Sequence, residues 1–385
     1  MQGGDAVGFA AQAGYRLVAG SCSTVGVAGG YTQGGGHSFL SGLYGFGADN
    51  VLEWEVVTAS GEHLVATPTR HSDLYWALSG GGGGTYGVVV SMTVRVFPDG
   101  QTAIATLSFN TTTAGGEEPF WDAFGTFLTQ LQPLTDQGLV ALFGTTNSSL
   151  QLAGLMAPGY TSAELLSLME PMISALTNTS SSLTAQSMSL AVSDGSSYEA
   201  VFEAVVAPET VKNLASPVTG GRFISRSNMA NNKSDVMAAL RTATDDGKFL
   251  VSGVVLNSGG AERVAAPVAD NAVQQGLQDA YIVLILSVFW DWEQPWSDAA
   301  LLQDDLWNVV MPPLVDATPG AGGAYINEAN WQQPDWQTTF YGANYERLRA
   351  VKAAYDPADV FYGLISVGSE AWEADSEGRL CKTGL

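Results

Sequence analysis

Ser21–Asn50 reads SCSTVGVAGGYTQGGGHSFLSGLYGFGADN, and the strand-like VLEWEVVTA of Val51–Ala59 follows at once. The stretch holds one cysteine, Cys22, nine glycines and a single charged side chain, Asp49. Glycine at that density marks backbone that takes positive φ or presses against another surface, since a Cβ would hinder both. Ordering so much glycine is costly in entropy, which is worthwhile where amide N–H groups must reach a flat or anionic ligand. A tight turn system joining short strands fits the glycine count equally well. The order of the residues carries more information than their number.

Cys22-Ser23-Thr24-Val25-Gly26-Val27-Ala28-Gly29-Gly30, then Gly34-Gly35-Gly36-His37, then Tyr44-Gly45-Phe46-Gly47-Ala48-Asp49-Asn50-Val51 form the first block. Asp73-Leu74-Tyr75-Trp76-Ala77-Leu78-Ser79, the glycines Gly80–Gly84, and Thr85-Tyr86-Gly87-Val88-Val89 form the second. Asn344-Tyr345-Glu346-Arg347-Leu348, Lys352 and Tyr355-Asp356-Pro357-Ala358-Asp359-Val360-Phe361 form the third. In this order the blocks resemble the berberine-bridge-enzyme-like oxidases, within the vanillyl-alcohol-oxidase-type FAD enzymes. Three ordered blocks over most of the chain are far more specific than a lone G-x-G-x-x-G.

The resemblance implies an α+β protein. A PCMH-type FAD-binding domain, incomplete at its N-terminus, occupies residues 1–100. An α+β substrate domain, an antiparallel sheet covered by helices, occupies 101–321, and residues 322–385 return to the first domain. Pro98-Asp99-Gly100 is the turn that marks the first boundary. By the same resemblance Met1-Gln2-Gly3-Gly4 matches the turn after a βαβ-type unit that carries a phosphate loop and usually a second, histidyl flavin tether. That unit is expected to lie outside this sequence.

Charged residues make up only 14% of 385, yet the formal net charge is −23. So few cations argue against nucleic acid or an anionic membrane as partner, because both reward positive surface. The four N-x-[ST] tripeptides at Asn110, Asn147, Asn178 and Asn232 point to a secreted glycoprotein. Met1–Asp5 has neither a basic n-region nor an apolar core, so no signal peptide is expected in it. Tyr281–Trp290 is the longest apolar candidate and falls well short of the roughly 18 residues a membrane span needs. Cys22 and Cys381 define no disulfide framework, and a free thiol at Cys381 is the simpler expectation.

Periodicity gives the elements. Helices are expected at Asp5–Ala13 with Asp5 as cap, Ser72–Leu78 with Ser72 as cap, Glu117–Leu131, Ser162–Leu176, Leu301–Leu314 broken by Pro312-Pro313, and Asn344–Tyr355. Strands are expected at Tyr15–Val18, Val51–Ala59 and His63–Ala66 around Gly61, Gly87–Phe97, Ala103–Phe109, Leu139–Gly144, Leu150–Met156, Phe249–Asn257 and Tyr281–Trp290. The Phe and Met stripes of the two longest helices read as core.

A flavin asks for backbone donors, apolar cover and often a covalent tether. Gly26, Gly29, Gly30 and Gly34–Gly36 suit the first requirement, with Val25 beside them, and Gly87-Val88 suits passage of backbone by the adenosine. Cys22 falls where the resembled oxidases with two tethers bond a cysteine to carbon 6 of the ring; a small buried hydrophobe is the alternative. His37 either touches flavin or caps a turn. His63 and His71 read as surface residues, and no histidine pair has metal-ligand spacing, so no metal is expected.

The resemblance places the family's Y-x-N-Y motif at Tyr325-Ile326-Asn327-Glu328, with glutamate for the last tyrosine. In the family a tyrosine of that motif helps deprotonate the substrate. A carboxylate in an apolar site can also serve as base, which makes Glu328 the candidate; a solvated loop glutamate is the alternative. Asn344 and Tyr362 lie in the segment that passes flavin and substrate in the family, and both also suit helix surface and core. Trp290, Trp292, Trp296, Trp331 and Trp336 could wall a pocket for a ring-shaped substrate or simply pack. Gln274-Gln275-Gly276-Leu277-Gln278 stands where the family commonly has N-P-x-W-R.

The expected activity is an FAD-dependent oxidase. It would take hydride from a carbon bearing a hydroxyl or amine on a sugar or secondary metabolite, with O2 as acceptor and no obligate protein partner. A truncated pseudoenzyme or binding protein unable to hold FAD is the alternative.

Overall fold

The computed structural model describes residues 1–205, 217–290 and 293–383. Two sheets organise them. The smaller has three strands, β1 (Val51–Val57), β2 (His63–Ala66) and β3 (Val88–Val94), in the order β2-β1-β3 and antiparallel throughout. Gly61 turns the β1–β2 hairpin at φ 81°, a conformation that suits a residue without a Cβ.

The larger sheet has seven antiparallel strands. They are β4 (Thr102–Asn110), β5 (Val140–Thr145), β6 (Ser149–Pro158), β7 (Ser189–Gly195), β8 (Pro217–Ser225), β9 (Leu250–Val255) and β10 (Ala280–Phe289), ordered β8-β10-β9-β5-β6-β4-β7.

Period-two alternation gives this sheet two apolar faces. Ala103, Ala105, Leu107 and Phe109 of β4 face helices Glu117–Thr135, Ser162–Thr179 and Lys233–Thr244. Phe120, Phe124, Phe127 and Leu131 are fully buried there, as their helical spacing predicts. Thr161 and Glu164 close a reciprocal capping box on the second helix. The opposite face, with Ile104, Val140, Met156, Phe223, Val254 and Val283, packs on Phe39, Leu40 and Phe46 of the glycine-rich stretch. That stretch is therefore laid across the sheet, and whatever it builds sits at the seam.

The small sheet shares a core with helix Ser72–Leu78 and with the C-terminal helix Tyr345–Tyr355 through Trp54, Tyr75, Tyr86, Leu348 and Val351. A buried ion pair pins this junction. Lys352 Nζ donates to Asp356 Oδ2 at 2.6 Å, to the Thr85 carbonyl at 2.7 Å and to the Phe361 carbonyl at 2.6 Å, and neither charged side chain is exposed.

Several local expectations are corrected. The first helix spans Gly3–Gln12, with Asp5 in its first turn rather than at the cap. The Ser72 helix is capped by His71 at φ 49°, without a side-chain bond. Only Tyr15–Arg16 of the 15–18 stretch pairs as strand, with Phe97–Pro98. Pro312-Pro313 does not break its helix. Trp296–Asp305 runs through a π turn, Leu306–Val310, into Met311–Ala317, where both prolines fall in a first turn whose N–H groups are not all needed. Strands β7 and β8 and helices Tyr198–Val205, Arg226–Asn231 and Lys233–Thr244 carry too weak a periodicity to be read beforehand.

Candidate functional site

The seam holds a cavity of about 410 Å³ lined by Gly20, Ser21, Cys22, Val25, Gly26, Gly29, Gly30, Tyr31, His37, Tyr325, Asn327 and Glu328. Local rules explain how the chain reaches it. Gly35 at φ 122° and Gly36 at φ 84° turn the backbone between Tyr31 and His37. Tyr31 then donates its hydroxyl to the Gly36 and His37 carbonyls, at 3.1 and 3.0 Å. The opposite wall is the short helical turn Ile326–Glu328.

The walls are stitched together. Gly36 N–H donates to the Tyr325 hydroxyl oxygen at 2.9 Å, and Asn327 Nδ2 donates to the same oxygen at 2.7 Å and to the Tyr31 carbonyl at 3.1 Å. Gly34 must lack a side chain, because a Cβ would lie within 2.3 Å of Asn327 Oδ1. With its lone pairs taken by N–H groups, the Tyr325 oxygen has only its proton to offer. Burial, and after it the negative charge of Glu328, push the Tyr325 phenol well above its ordinary pKa, so it stays protonated.

Glu328 is held differently. His37 Nε2 lies 2.8 Å from Glu328 Oε1, with the side chains 14% and 18% exposed. Glu328 Oε2 is buried and has no hydrogen-bond partner. Adjoining the cavity at Ser21 and His37 is a small apolar pocket lined by Phe39, Val140, Leu142 and Val254, with Ser38.

Of the residues singled out from sequence, Cys22, Val25, Gly26, Gly29, Gly30, His37, Tyr325 and Glu328 share the cavity. Gly34, Gly35 and Gly36 stand behind it as supports. Gly87, Val88, Asn344 and Tyr362 are not among its lining residues. Gly87 is needed for packing, since a Cβ would meet Val56 Cγ2 at 2.6 Å, and Val88 points outward at 57% exposure. Asn344 Nδ2 binds the Ala272 carbonyl at 3.1 Å, and Tyr362 packs edge-on against Trp372.

The tryptophans are not in the lining either. Trp290 packs on Trp296, Trp336 on Tyr341 and Tyr345, Trp331 is exposed, and Trp292 lies outside the described residues. Gln274 replaces the expected arginine-bearing motif with amide bonds to the Gly322 and Thr339 carbonyls. Gly20, Ser21, Tyr31 and Asn327 are lining residues that sequence reasoning passed over, although Ser21 and Tyr31 lie in the quoted Ser21–Asn50 stretch and Asn327 in the Tyr325–Glu328 motif. Both cysteines are free.

A flavin can be tested against this place on two observations. Cβ atoms built at Gly26 and Gly29 would meet nothing within 4 Å, so the floor is bare backbone facing open space, as a flat ring requires. Glu328 and the hydrogen-bonded Tyr325 are the polar members of a lining that is otherwise largely apolar. The residues present fit such a group.

Comparison with known proteins agrees. Residues 1–67 match the family model "FAD binding domain", and residues 324–367 match "Berberine and berberine like". The FAD-linked oxidoreductase orf1 of Neocamarosporium betae is 40% identical over 99% of this chain, and the FAD-linked oxidoreductase ZEB1 of Gibberella zeae is 38% identical over 100%. The chain spans 65% and 66% of the length of those two relatives. The crystal structure of the VAO-type flavoprotein MtVAO615 from Myceliophthora thermophila C1 superimposes with a TM-score of 0.86 at 36% identity, over 100% of this chain and 68% of that one.

The fold is thus that of a PCMH-type flavoprotein with a large antiparallel sheet. The chain belongs to the VAO-type, berberine-bridge-enzyme-like family of FAD-linked oxidoreductases, and FAD is its cofactor.

Proposed function

We propose that this protein is an oxidase that removes hydride from a carbon bearing a hydroxyl or amine, on a sugar or small secondary metabolite, with O2 as final acceptor. The overall change is CH–OH plus O2 to C=O plus H2O2, two electrons and two protons. Bound FAD supplies the two-electron acceptor for this change. The observation that carries the reading is Glu328, an acid lining the same cavity as Cys22 and the bare glycine floor.

The chain's own residues divide the remaining work. Glu328 takes the hydroxyl or amine proton as the neighbouring C–H bond gives up its electron pair. Tyr325, with its lone pairs already engaged, donates a hydrogen bond to the substrate heteroatom or the cofactor and orients it. In this reading the tyrosine does not serve as base, because burial keeps its proton in place. The apolar wall at Phe39, Leu142 and Val254 excludes water from the proton transfer. Residues 1–100 and 322–385 form the cofactor side of the molecule and 101–321 the substrate side.

Cys22 would tether the ring through its Sγ, the thiol proton and one ring hydrogen being lost as protons and two electrons passing to O2. Peptide mass analysis of the flavin-containing protein tests this. The tryptic peptide from Leu17 to Arg70, bounded by Arg16 and Arg70, is expected to carry the added mass of FAD, and Cys22→Ala to abolish the adduct. An unmodified Cys22 peptide from a flavin-loaded protein would refute the tether.

A further inference from the structure

We infer that the helix-covered face of the large sheet is a glycan-bearing face, with N-linked oligosaccharides on Asn110, Asn147, Asn178 and Asn232. The inference is independent of the proposed catalytic roles. The four N-x-[ST] tripeptides are scattered over more than a hundred residues of sequence, and the fold gathers them on one side of the molecule in two pairs.

The first pair stands at one end of the sheet. Asn110, the last residue of β4, is in register with Ser149 at the start of β6, and Asn147 lies in the turn between β5 and β6. Thr111 N–H donates to the Ser148 carbonyl at 2.9 Å, and Thr111, Asn147 and Ser148 line one groove of about 780 Å³ together with Glu117 and Asp245. The second pair flanks helix Glu117–Thr135. Asn178 is in the last turn of helix Ser162–Thr179, whose Thr179 hydroxyl donates to the Thr126 hydroxyl at 3.4 Å, and Asn232 immediately precedes helix Lys233–Thr244. Thr179, Lys233 and Ser234 line a second groove of about 620 Å³ with Trp121, Thr126 and Met237. Arg241 binds both Glu117 on the first groove and Glu118 on the second, so the two rims are continuous.

This is not the face that holds the cavity. The three helices pack on Ala103, Ala105 and Leu107 of β4, whereas the glycine-rich stretch packs on Ile104, Val140 and Met156 from the other side. The seven-stranded sheet therefore stands between the acceptor asparagines and the seam, and bulky hydrated chains on the helical side leave the cavity free.

The individual atoms allow the modification. A glycan is joined through asparagine Nδ2, so the folded protein must leave that atom unused and near water. Asn110 and Asn178 are exposed, Asn147 and Asn232 half-buried, and among the described contacts none of the four donates from Nδ2 to a protein atom. Asn110 shows how structure and attachment coexist: its Oδ1 caps the next turn by accepting from Thr113 N–H at 2.9 Å, and Oδ1 keeps that bond when Nδ2 is substituted. Asn50, Asn228, Asn271 and Asn330, which lie outside such tripeptides, instead spend Nδ2 on a carbonyl or carboxylate. The donor is an oligosaccharide on a polyisoprenyl diphosphate, transferred by the secretory pathway's own enzyme. One Nδ2–H bond and the bond from sugar C1 to the diphosphate break, an Nδ2–C1 bond forms, and the proton leaves with the diphosphate; nothing is oxidised or reduced.

The test uses full-length protein exported from a eukaryotic host behind a heterologous leader. Its glycans are removed by peptide N-glycosidase in heavy-oxygen water, which turns each glycosylated asparagine into labelled aspartate, and the protein is cut after glutamate. Glu117, Glu164 and Glu199 separate the four acceptors onto different peptides. Label is expected at Asn110, Asn147, Asn178 and Asn232, and not at Asn50, Asn228, Asn271 or Asn330. A folded, exported protein in which either pair is wholly unlabelled overturns the inference.

Discussion

Glu328→Gln is expected to slow anaerobic bleaching of the flavin by substrate about 10²–10⁴-fold, the usual worth of a positioned general base. The probe is whichever of a panel of reducing oligosaccharides and benzylic or allylic alcohols bleaches the wild-type protein fastest. Glutamine keeps the volume and still offers an oxygen at the buried end, so packing and flavin content should hold. What it loses is the negative charge and the ability to take a proton. Tyr325 cannot substitute as base, because burial and the Gly36 and Asn327 donors leave it a fixed hydrogen-bond donor. A rate within about threefold of wild type would move the base elsewhere.

Lys352→Met is expected to lower the stability of the fold by about 3–5 kcal/mol, because it leaves the Asp356 carboxylate buried beside an apolar side chain. Burial alone pushes the Asp356 carboxyl up, but Lys352 and the Val360 and Phe361 N–H groups outweigh it and hold the group below its ordinary range. A depressed carboxyl contributes stability above the unfolded-state pKa and loses it as pH falls through the folded one. The lysine variant should therefore unfold at lower urea and lose part of the wild type's acid-sensitive stability. Lys352→Met/Asp356→Asn should recover part of the loss, since no unpaired charge remains.

The effect reaches the site through Thr85, whose carbonyl Lys352 holds. The glycine run before it is moored to the site as well. Gly80 and Gly82 N–H groups bind the Gln33 carbonyl, and a Cβ on Gly83 would press within 2.9 Å of Gly30 Cα. Flavin content should fall along with the midpoint. A urea midpoint equal to wild type would show that the pair is dispensable.

The elements legible in sequence were those with an unshared period. Glu117–Thr135 shows its Phe120, Phe124, Phe127 face openly, and β4 alternates apolar and polar from Ala105 to Phe109. Lys233–Thr244 was not legible, because its buried Val236, Leu240 and Ala243 are sparse among Ala and Thr. Pro312-Pro313 misled for a different reason: a π turn resets the register just ahead of it.

The site was legible as two motifs but not as one object. The glycine-rich run and the Tyr325–Glu328 turn each announced chemistry. Nothing in a single sequence says that residue 37 touches residue 328, because that contact is made by the large sheet bringing distant segments to one seam. Val88 lies inside a family-like block and points to solvent, and Tyr362, just after another, packs on Trp372.

The most direct test of the central claim is the visible absorption spectrum of the purified full-length protein, before and after acid precipitation. The account predicts flavin bands at about one per chain that remain with the precipitated wild-type protein. A protein that stays colourless when supplied with FAD would contradict it, because the seam between the glycine-rich floor and Glu328 would then not be a flavin site at all.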